Sequence, residues 1–333
     1  VNELQQPGER PVEIVVMGGE IPEIKSPVHA AAPAVVQSTK SALPPLIDID
    51  LNVDAFPFLA SHVLNHKAVL PVAMITEWFA HTALHAHPGL RFHGIDGLRV
   101  LKGVTLDADE SRTVQLCTGE ATERDGGIWI PVELRSNPTG DKEIRHASAE
   151  VNLVETLPSE MPWIQPQHIQ EKAYNNGGIY EGGHLFHGPA FQGLDAVDGA
   201  SDDILVALVG KAPAPKNWIT SPLRNSWLAD PLILDSSFQM MILWSFQQYN
   251  SGSLPSFIGS YRQYVTRFPK EGARILIQVM EHSKRKATAN IEFVDTQKGD
   301  LIARIDGYEC TLVASLKAAF QKNTLEIPEL SKK

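Results

Sequence analysis

The chain has 333 residues, 43% of them hydrophobic and 20% charged, with a formal net charge of −10. That composition fits a globular protein with one large or two ordinary cores and excludes a disordered one. The acidic balance, without any Lys/Arg stripe, excludes nucleic acid as a partner. An acidic partner tethered covalently would still reach it through effective concentration. No apolar run approaches the roughly 20 residues of a membrane span, and the N-terminus lacks the basic and apolar regions of a signal peptide. A cytoplasmic setting is therefore expected. There Cys117 and Cys310, without C-x-x-C spacing, read as reduced, buried small hydrophobes.

In chain order, residues 1–20 include "PVEIVVMGGE", an alternating, strand-like run that reads as the tail of a preceding domain. Residues 21–46 are rich in Pro, Ala and Ser and have the composition of a linker. From 47 to 321 one layout occurs twice. In the first half, 47–160, an apolar helix from Pro71 to about Leu84 precedes strands at 98–106, 112–118, 127–136 and 143–155. The second half, 161–321, opens on a loop rich in Gly and aromatics and on strands at 192–200 and 203–211. A second apolar helix, Pro231 to about Tyr249, then precedes strands at 257–268, 274–282, 286–296 and 300–315. Residues 322–333, "KNTLEIPELSKK", read as a polar tail.

Both helices have start signals: Asp230 as N-cap with Pro231 at the first helical position, and Pro71 in the same part earlier. A helix that is apolar on all faces must be surrounded. Curved antiparallel strands wrapping a central helix do that, whereas a β-sandwich, the alternative, leaves two long buried helices unexplained. The expected fold class is α+β: two antiparallel sheets, each around a central buried helix, in tandem as a double hotdog.

The stretch "SHVLNHKAVLP" puts His62 and His66 ahead of Pro71, and taken alone it fits a satisfied structural histidine as well as a base. A helix N-terminus offers free N–H groups to a developing oxyanion, and a histidine beside it can take a proton from the carbon alpha to a carbonyl. On the second helix, "DPLILDSSFQMMILWSFQQY" puts Asp235 and Gln239 four apart on one face in an apolar setting. Burial there is expected to keep Asp235 protonated, hence able to act as a general acid. "HTALHAH" offers His81, His85 and His87, which read as dipole-facing residues at a helix end. No metal site is assigned. Trp78, Phe79, Met240, Met241 and Trp244 read as core.

The chain resembles the dehydratase domains of polyketide synthases and multifunctional fatty-acid synthases, with a looser similarity to those of polyunsaturated fatty-acid synthases in "VLPVAMITEWF". The family's H-x-x-x-G-x-x-x-x-P motif matches His62 to Pro71, and D-x-x-x-Q matches Asp235 to Gln239. Y-G-P-x-F-Q is approximated by "HGPAFQ", His187 to Gln192, and a later "LP" by Leu254 and Pro255. The resemblance extends over residues 47–320 and implies a ketoreductase-like origin for the first 20. It implies His62 as base and Asp235 as acid, supported by Gln239, by the Val72 N–H and by His187. It also implies a substrate tunnel lined by His66, Pro71, Tyr180, Phe186, Gly188, Pro189 and Phe191.

Three positions depart from the pattern. His66 replaces a glycine, at a cost if the turn needs positive φ. Val72 replaces another glycine, and His187 replaces tyrosine. The reaction implied is loss of water from a 3-hydroxyacyl thioester on an acyl carrier protein, with no metal or redox cofactor. The carrier and neighbouring synthase domains would be partners in cis, with homodimerisation through the parent synthase. The alternatives are an enoyl isomerase or hydratase using the same pair, a thioesterase, and a non-catalytic hotdog scaffold.

Overall fold

The structure is a computed structural model that describes residues 43–136, 143–159, 161–164 and 178–326. The expected domain tail at 1–20, most of the linker, and residues 327–333 of the polar tail lie outside the described residues. Strands β1 (Pro45–Leu51), β2 (Val63–Leu64) and β3 (Lys67–Val69) precede helix α1 (Val72–Ala86). Then come β4 (Arg91–Val100), β5 (Thr105–Leu106), β6 (Arg112–Thr118), β7 (Thr122–Arg124), β8 (Gly127–Ser136) and β9 (Ile144–Val154). The second half holds β10 (Met161–Pro162), β11 (Leu194–Ala200), β12 (Ile204–Val209) and helix α2 (Pro231–Tyr249). Strands β13 (Gly252–Gln263), β14 (Ala273–His282), β15 (Lys286–Val294) and β16 (Asp300–Val313) and a short helix α3 (Leu316–Phe320) complete it.

The double hotdog is present, but its sheets join differently from expectation. The two sheets are continuous: β1-β6-β8-β9-β4 joins β13-β16-β15-β14-β12-β11 through the antiparallel β4–β13 pair. Arg262 on β13 and Asp96 on β4 are bonded across that seam at 2.6 Å. The strands of the first half pack on α1 and those of the second on α2, and the two helices touch. Every residue from Ala73 to Leu84 in α1, and from Pro231 to Phe246 in α2, is buried. All-round apolarity thus marks a surrounded helix in each half.

Helix α2 matches its expected bounds, because Asp230 caps it: its Oδ1 accepts from the N–H groups of Leu232 and Ile233 at 3.1 Å. Helix α1 differs at its start. Pro71, with ψ 142°, is the N-cap residue itself and supplies no side-chain acceptor, so the first N–H groups of α1 have no side-chain cap.

Two expected strands are displaced. The segment expected at 98–106 is β4, which starts at Arg91, followed by a break and the short β5. The segment expected at 257–268 starts at Gly252, where an irregularity between Pro255 and Phe257 accommodates the proline. Helix α3 has no counterpart among the expected elements, and the residues after it are not free: they pack on the β2–β3 hairpin. Among the described residues no helix is long and apolar enough to cross a membrane.

Candidate active site

His62 ends a 3₁₀ turn formed by Pro57–Ser61, just before the β2–β3 hairpin. The hairpin folds back so that Val69 brackets His62: the Val69 N–H donates to His62 O at 2.9 Å, and His62 Nδ1 lies 2.7 Å from Val69 O. A carbonyl can only accept, so Nδ1 carries the proton and Nε2 presents a lone pair. Burial pushes His62 down to about 4, against the opposing charge of Asp235. The imidazole is therefore neutral at pH 7, as a base must be.

The hairpin turn is made by Asn65 and His66, with φ of +51° and +64°. Positive φ at both central residues of a two-residue loop is the type I′ geometry, whose preferred sequence is Asn-Gly. The glycine of the family motif is thus a backbone requirement, and His66 meets it under strain. His66 does not line a tunnel. Its Nδ1 hydrogen-bonds Thr324 O at 3.0 Å, its Nε2 is 3.5 Å from Glu326 Oε1, and its N–H donates to Lys322 O at 2.9 Å. The chain after α3 therefore straps the outside of the turn.

Asp235 faces His62 from the middle of the first buried turns of α2. Its Oδ1 lies 3.9 Å from His62 Nε2, and its Oδ2 lies 3.3 Å from His187 Nε2 and accepts from Gln239 Nε2 at 2.9 Å. His62, His187 and Asp235 are 7%, 5% and 3% exposed, so their mutual interactions are little screened. Gln239 is fully engaged: Nε2 also donates to Phe191 O at 2.8 Å, and Oε1 accepts from Tyr180 OH at 3.0 Å. Tyr180 OH in turn accepts from the Leu194 N–H at 2.8 Å. The tyrosine expected at a tunnel mouth is instead an anchor for Gln239, in a chain of hydrogen bonds that ends on the Asp235 carboxyl.

The raised pKa expected for Asp235 is corrected. Burial does push the carboxyl up, but the hydrogen bond and charge of His187, then His62 and Gln239, outweigh it and hold the carboxyl below its ordinary value. An apolar helix read alone shows only the desolvation. It does not show an imidazole delivered by a loop 48 residues away in sequence.

His187 reaches the site because the Phe186–Phe191 segment pairs with the His62 region. His62 and His187 form an antiparallel bridge, and the Gly188 N–H donates to Ser61 O at 2.8 Å. A Cβ on Gly188 would lie 3.0 Å from Ser61 Cα, so a glycine suits this close approach. Pro189 starts the 3₁₀ turn that ends at Phe191, and Phe191 stands 5.3 Å from the His62 ring. Phe186 stacks on His187 at 4.0 Å and stands edge-on to His62 at 4.9 Å. Phe320 of α3 backs Phe186 at 4.8 Å. Sequence reasoning missed Phe320 and Val69. Phe320 could have been flagged only as an apolar residue in a segment otherwise read as an end.

Pro71 and Val72 follow Val69 at the uncapped start of α1. The other histidine cluster does not assemble a ligand set: His81 Nδ1 accepts from Arg224 Nε at 2.8 Å, and burial and Arg224 push His81 to about 4. Cys117 and Cys310 are free and buried, and burial pushes their thiols up to about 11 and about 12.

Fold and site together define a double hotdog in which one half supplies a neutral imidazole and the other a carboxyl. Residues 172–319 match the family model "Polyketide synthase dehydratase N-terminal domain", which here covers the half carrying Asp235. The chain is 28% identical over 201 residues, 60% of its length, to one of the polyunsaturated fatty acid synthase subunits of Thraustochytrium sp.. It spans about 7% of that relative's length. Among solved structures, a trans-AT polyketide synthase dehydratase domain from Brevibacillus brevis superposes with a TM-score of 0.66 at 18% identity, covering 80% of this chain and 93% of that one. The dehydratase domain of PpsC from Mycobacterium tuberculosis, in complex with C12:1-CoA, gives 0.60 at 17% identity over 80% and 92%. Residues 172–319 are similar to the polyketide synthase dehydratase family, and the fold of the chain is that of those dehydratase domains.

Proposed function

We propose that this domain removes water from a 3-hydroxyacyl chain held as a thioester on the phosphopantetheine of an acyl carrier protein, within a polyketide or fatty-acid multienzyme. The observation that carries the reading is the facing of His62 Nε2 and Asp235 Oδ1 at 3.9 Å, one from each half of the fold, in a buried site. That leaves the two groups close enough to address neighbouring carbons of one acyl chain. The family match and the relative from a fatty acid synthase support the reaction class. The acyl-CoA bound by the PpsC domain supports a thioester substrate.

The thioester carbonyl accepts the Val72 N–H at the uncapped start of α1, which acidifies the α-carbon. His62 Nε2 takes the α-proton, and the Val69 carbonyl steadies the imidazolium that forms. The C–O bond at the β-carbon breaks as the hydroxyl receives a proton through Asp235, giving water and the 2-enoyl thioester.

Because His187 favours the carboxylate form of Asp235, the proton for the hydroxyl is held by the Asp235–His187 pair rather than by Asp235 alone. Transfer from His62 back across the gap to Asp235 resets the site. Protons and electrons balance with these side chains and substrate alone, and no redox cofactor enters. The test is mass spectrometry of a carrier-bound 3-hydroxyacyl chain incubated with the domain. Loss of one water supports the reading, and an unchanged chain with the folded domain refutes it.

A further inference from the structure

We infer that His62, His187 and Asp235 form a binding site for one divalent transition-metal ion, Zn²⁺ foremost, and that the ion blocks the acid–base site. The three side chains each offer one ligand atom, and those atoms lie within 4.8 Å of one another. Asp235 meets the two imidazoles with different oxygens, Oδ2 at 3.3 Å from His187 Nε2 and Oδ1 at 3.9 Å from His62 Nε2. Bonds of about 2.0–2.1 Å in a tetrahedral zinc site set neighbouring ligand atoms roughly 3.3 Å apart, a spacing His187 Nε2 and Asp235 Oδ2 already have and to which His62 Nε2 must close in from within 4.8 Å.

The outer partners are already in place for two of the three ligands. The Nδ1–H of His62 is committed to Val69 O, which fixes the tautomer that directs Nε2 inward. Gln239 holds the carboxylate from behind through Oδ2. This is the support that metal-bound histidines and carboxylates ordinarily have. Two imidazoles and one carboxylate favour Zn²⁺, Co²⁺ or Ni²⁺ over Mg²⁺ and Ca²⁺, which take oxygen ligands.

His187 is the deciding residue, because it stands where the family motif has tyrosine. A phenol there would leave only one imidazole and one carboxylate. Among the described residues, His187 Nδ1 is one of two buried side-chain polar atoms without a hydrogen-bond partner. The role of that imidazole is thus set by Nε2 and what Nε2 faces. An ion on these three atoms occupies the lone pair that takes the α-proton and the carboxyl oxygens that hand one on. It therefore competes with substrate. This consequence rests on the acid–base reading, but the binding site does not.

The experiment titrates the metal-free folded chain with Co²⁺, followed by its visible absorption, and with Zn²⁺ by calorimetry. Wild type, His187→Phe and His81→Ala are compared, each checked for fold by circular dichroism. One Co²⁺ per chain with the intense bands of a four-coordinate site is expected, displaced by Zn²⁺. His187→Phe should weaken Zn²⁺ binding by about a hundredfold or more, and His81→Ala should leave it unchanged. X-ray absorption of the wild-type Zn²⁺ complex gives a readout independent of any variant, expected to show two imidazole nitrogens. With a soluble 3-hydroxyacyl pantetheine thioester, Zn²⁺ should raise KM with little change in kcat, EDTA should reverse this, and Mg²⁺ should do nothing. Absence of four-coordinate bands, fewer than two imidazoles, or equal affinity in a folded His187→Phe would overturn the inference. Tight binding in a chain that dehydrates nothing would leave the metal site standing and remove the proposed function instead.

Discussion

His62 and Asp235 meet from supports of opposite kinds. Asp235 stands on α2, which is buried from Pro231 to Phe246 and capped by a side chain of its own sequence. Its position follows from one helix with its cap, and Gln239, one turn on, locks the carboxyl. His62 stands in irregular backbone, between a 3₁₀ turn and a two-residue hairpin that runs through positive φ. Val69 brackets it locally, and the hairpin that carries Val69 is steadied from the far end of the chain. Ala319 O and Lys322 O accept the Asn65 and His66 N–H groups, and Phe320 backs Phe186, the ring that stands edge-on to His62. A local logic thus builds the half proposed to supply the acid, and a long-range strap supports the half proposed to supply the base. The two halves should fail differently.

Removing the chemistry at either end should cost most. His62→Ala and Asp235→Asn should each lower kcat/KM by about a hundredfold to ten-thousandfold while far-UV circular dichroism and the unfolding midpoint hold near wild type. The double variant should be little worse than either single, because both act in one step. A double-variant loss close to the product of the singles would mean that the two groups do not share that step.

The strap can be probed next. Phe320→Leu keeps a buried apolar side chain but removes the aromatic contact with Phe186. It should reduce kcat/KM on the order of tenfold through misplacement of His62, because small displacements of a reacting group are costly. The comparable change on the other side, Phe238→Leu on α2, which removes a stacking contact with Tyr308, should have a smaller effect. Equal losses would mean that the base half is no more dependent on remote packing than the acid half.

His187 joins the two halves. Replacing it with Phe leaves burial opposed only by His62 and Gln239, so the Asp235 carboxyl should move up from its lowered value. Carboxyl carbon NMR of labelled Asp235 reads this directly, and a downward or absent change would show that His187 is not the group that favours the carboxylate. The smallest effect belongs to the turn. His66→Gly relieves left-handed strain of roughly 1–2 kcal/mol but loses the bond to Thr324. A net gain of about 0.5 kcal/mol in urea unfolding is expected at unchanged m, with kcat/KM within about twofold.

The same contrast explains what the sequence could disclose. Asp235, Gln239, the cap and both ends of α2 were legible because helical spacing and capping act within a few residues. His62 was legible only through an ordered set of motifs, and the glycine expected at 66 acquires its physical reason in the φ of +64°. Asp235's lowered pKa, Tyr180's grip on Gln239 and the turn's bond to the chain end were not legible. Each depends on a partner brought from tens to hundreds of residues away. The continuity of the two sheets was hidden for the same reason, since the β4–β13 register joins residues about 160 apart, Ile258 with Leu98 among them.

The central claim is that a neutral His62 takes the proton from carbon while the Asp235–His187 pair delivers one to oxygen. The most direct measurement is the pH dependence of kcat/KM for wild type and Asp235→Asn with a soluble 3-hydroxyacyl pantetheine thioester. His62, lowered by burial to about 4, is unprotonated above that value, so activity should rise as pH climbs through the acid region and then hold. It should fall again at higher pH as the pair loses its proton, and these limbs belong to the coupled group rather than to one residue. In Asp235→Asn the residual rate should keep the acid limb and lose the alkaline one. An unchanged alkaline limb in a still-active Asp235→Asn would contradict the account and leave His62 to handle both protons.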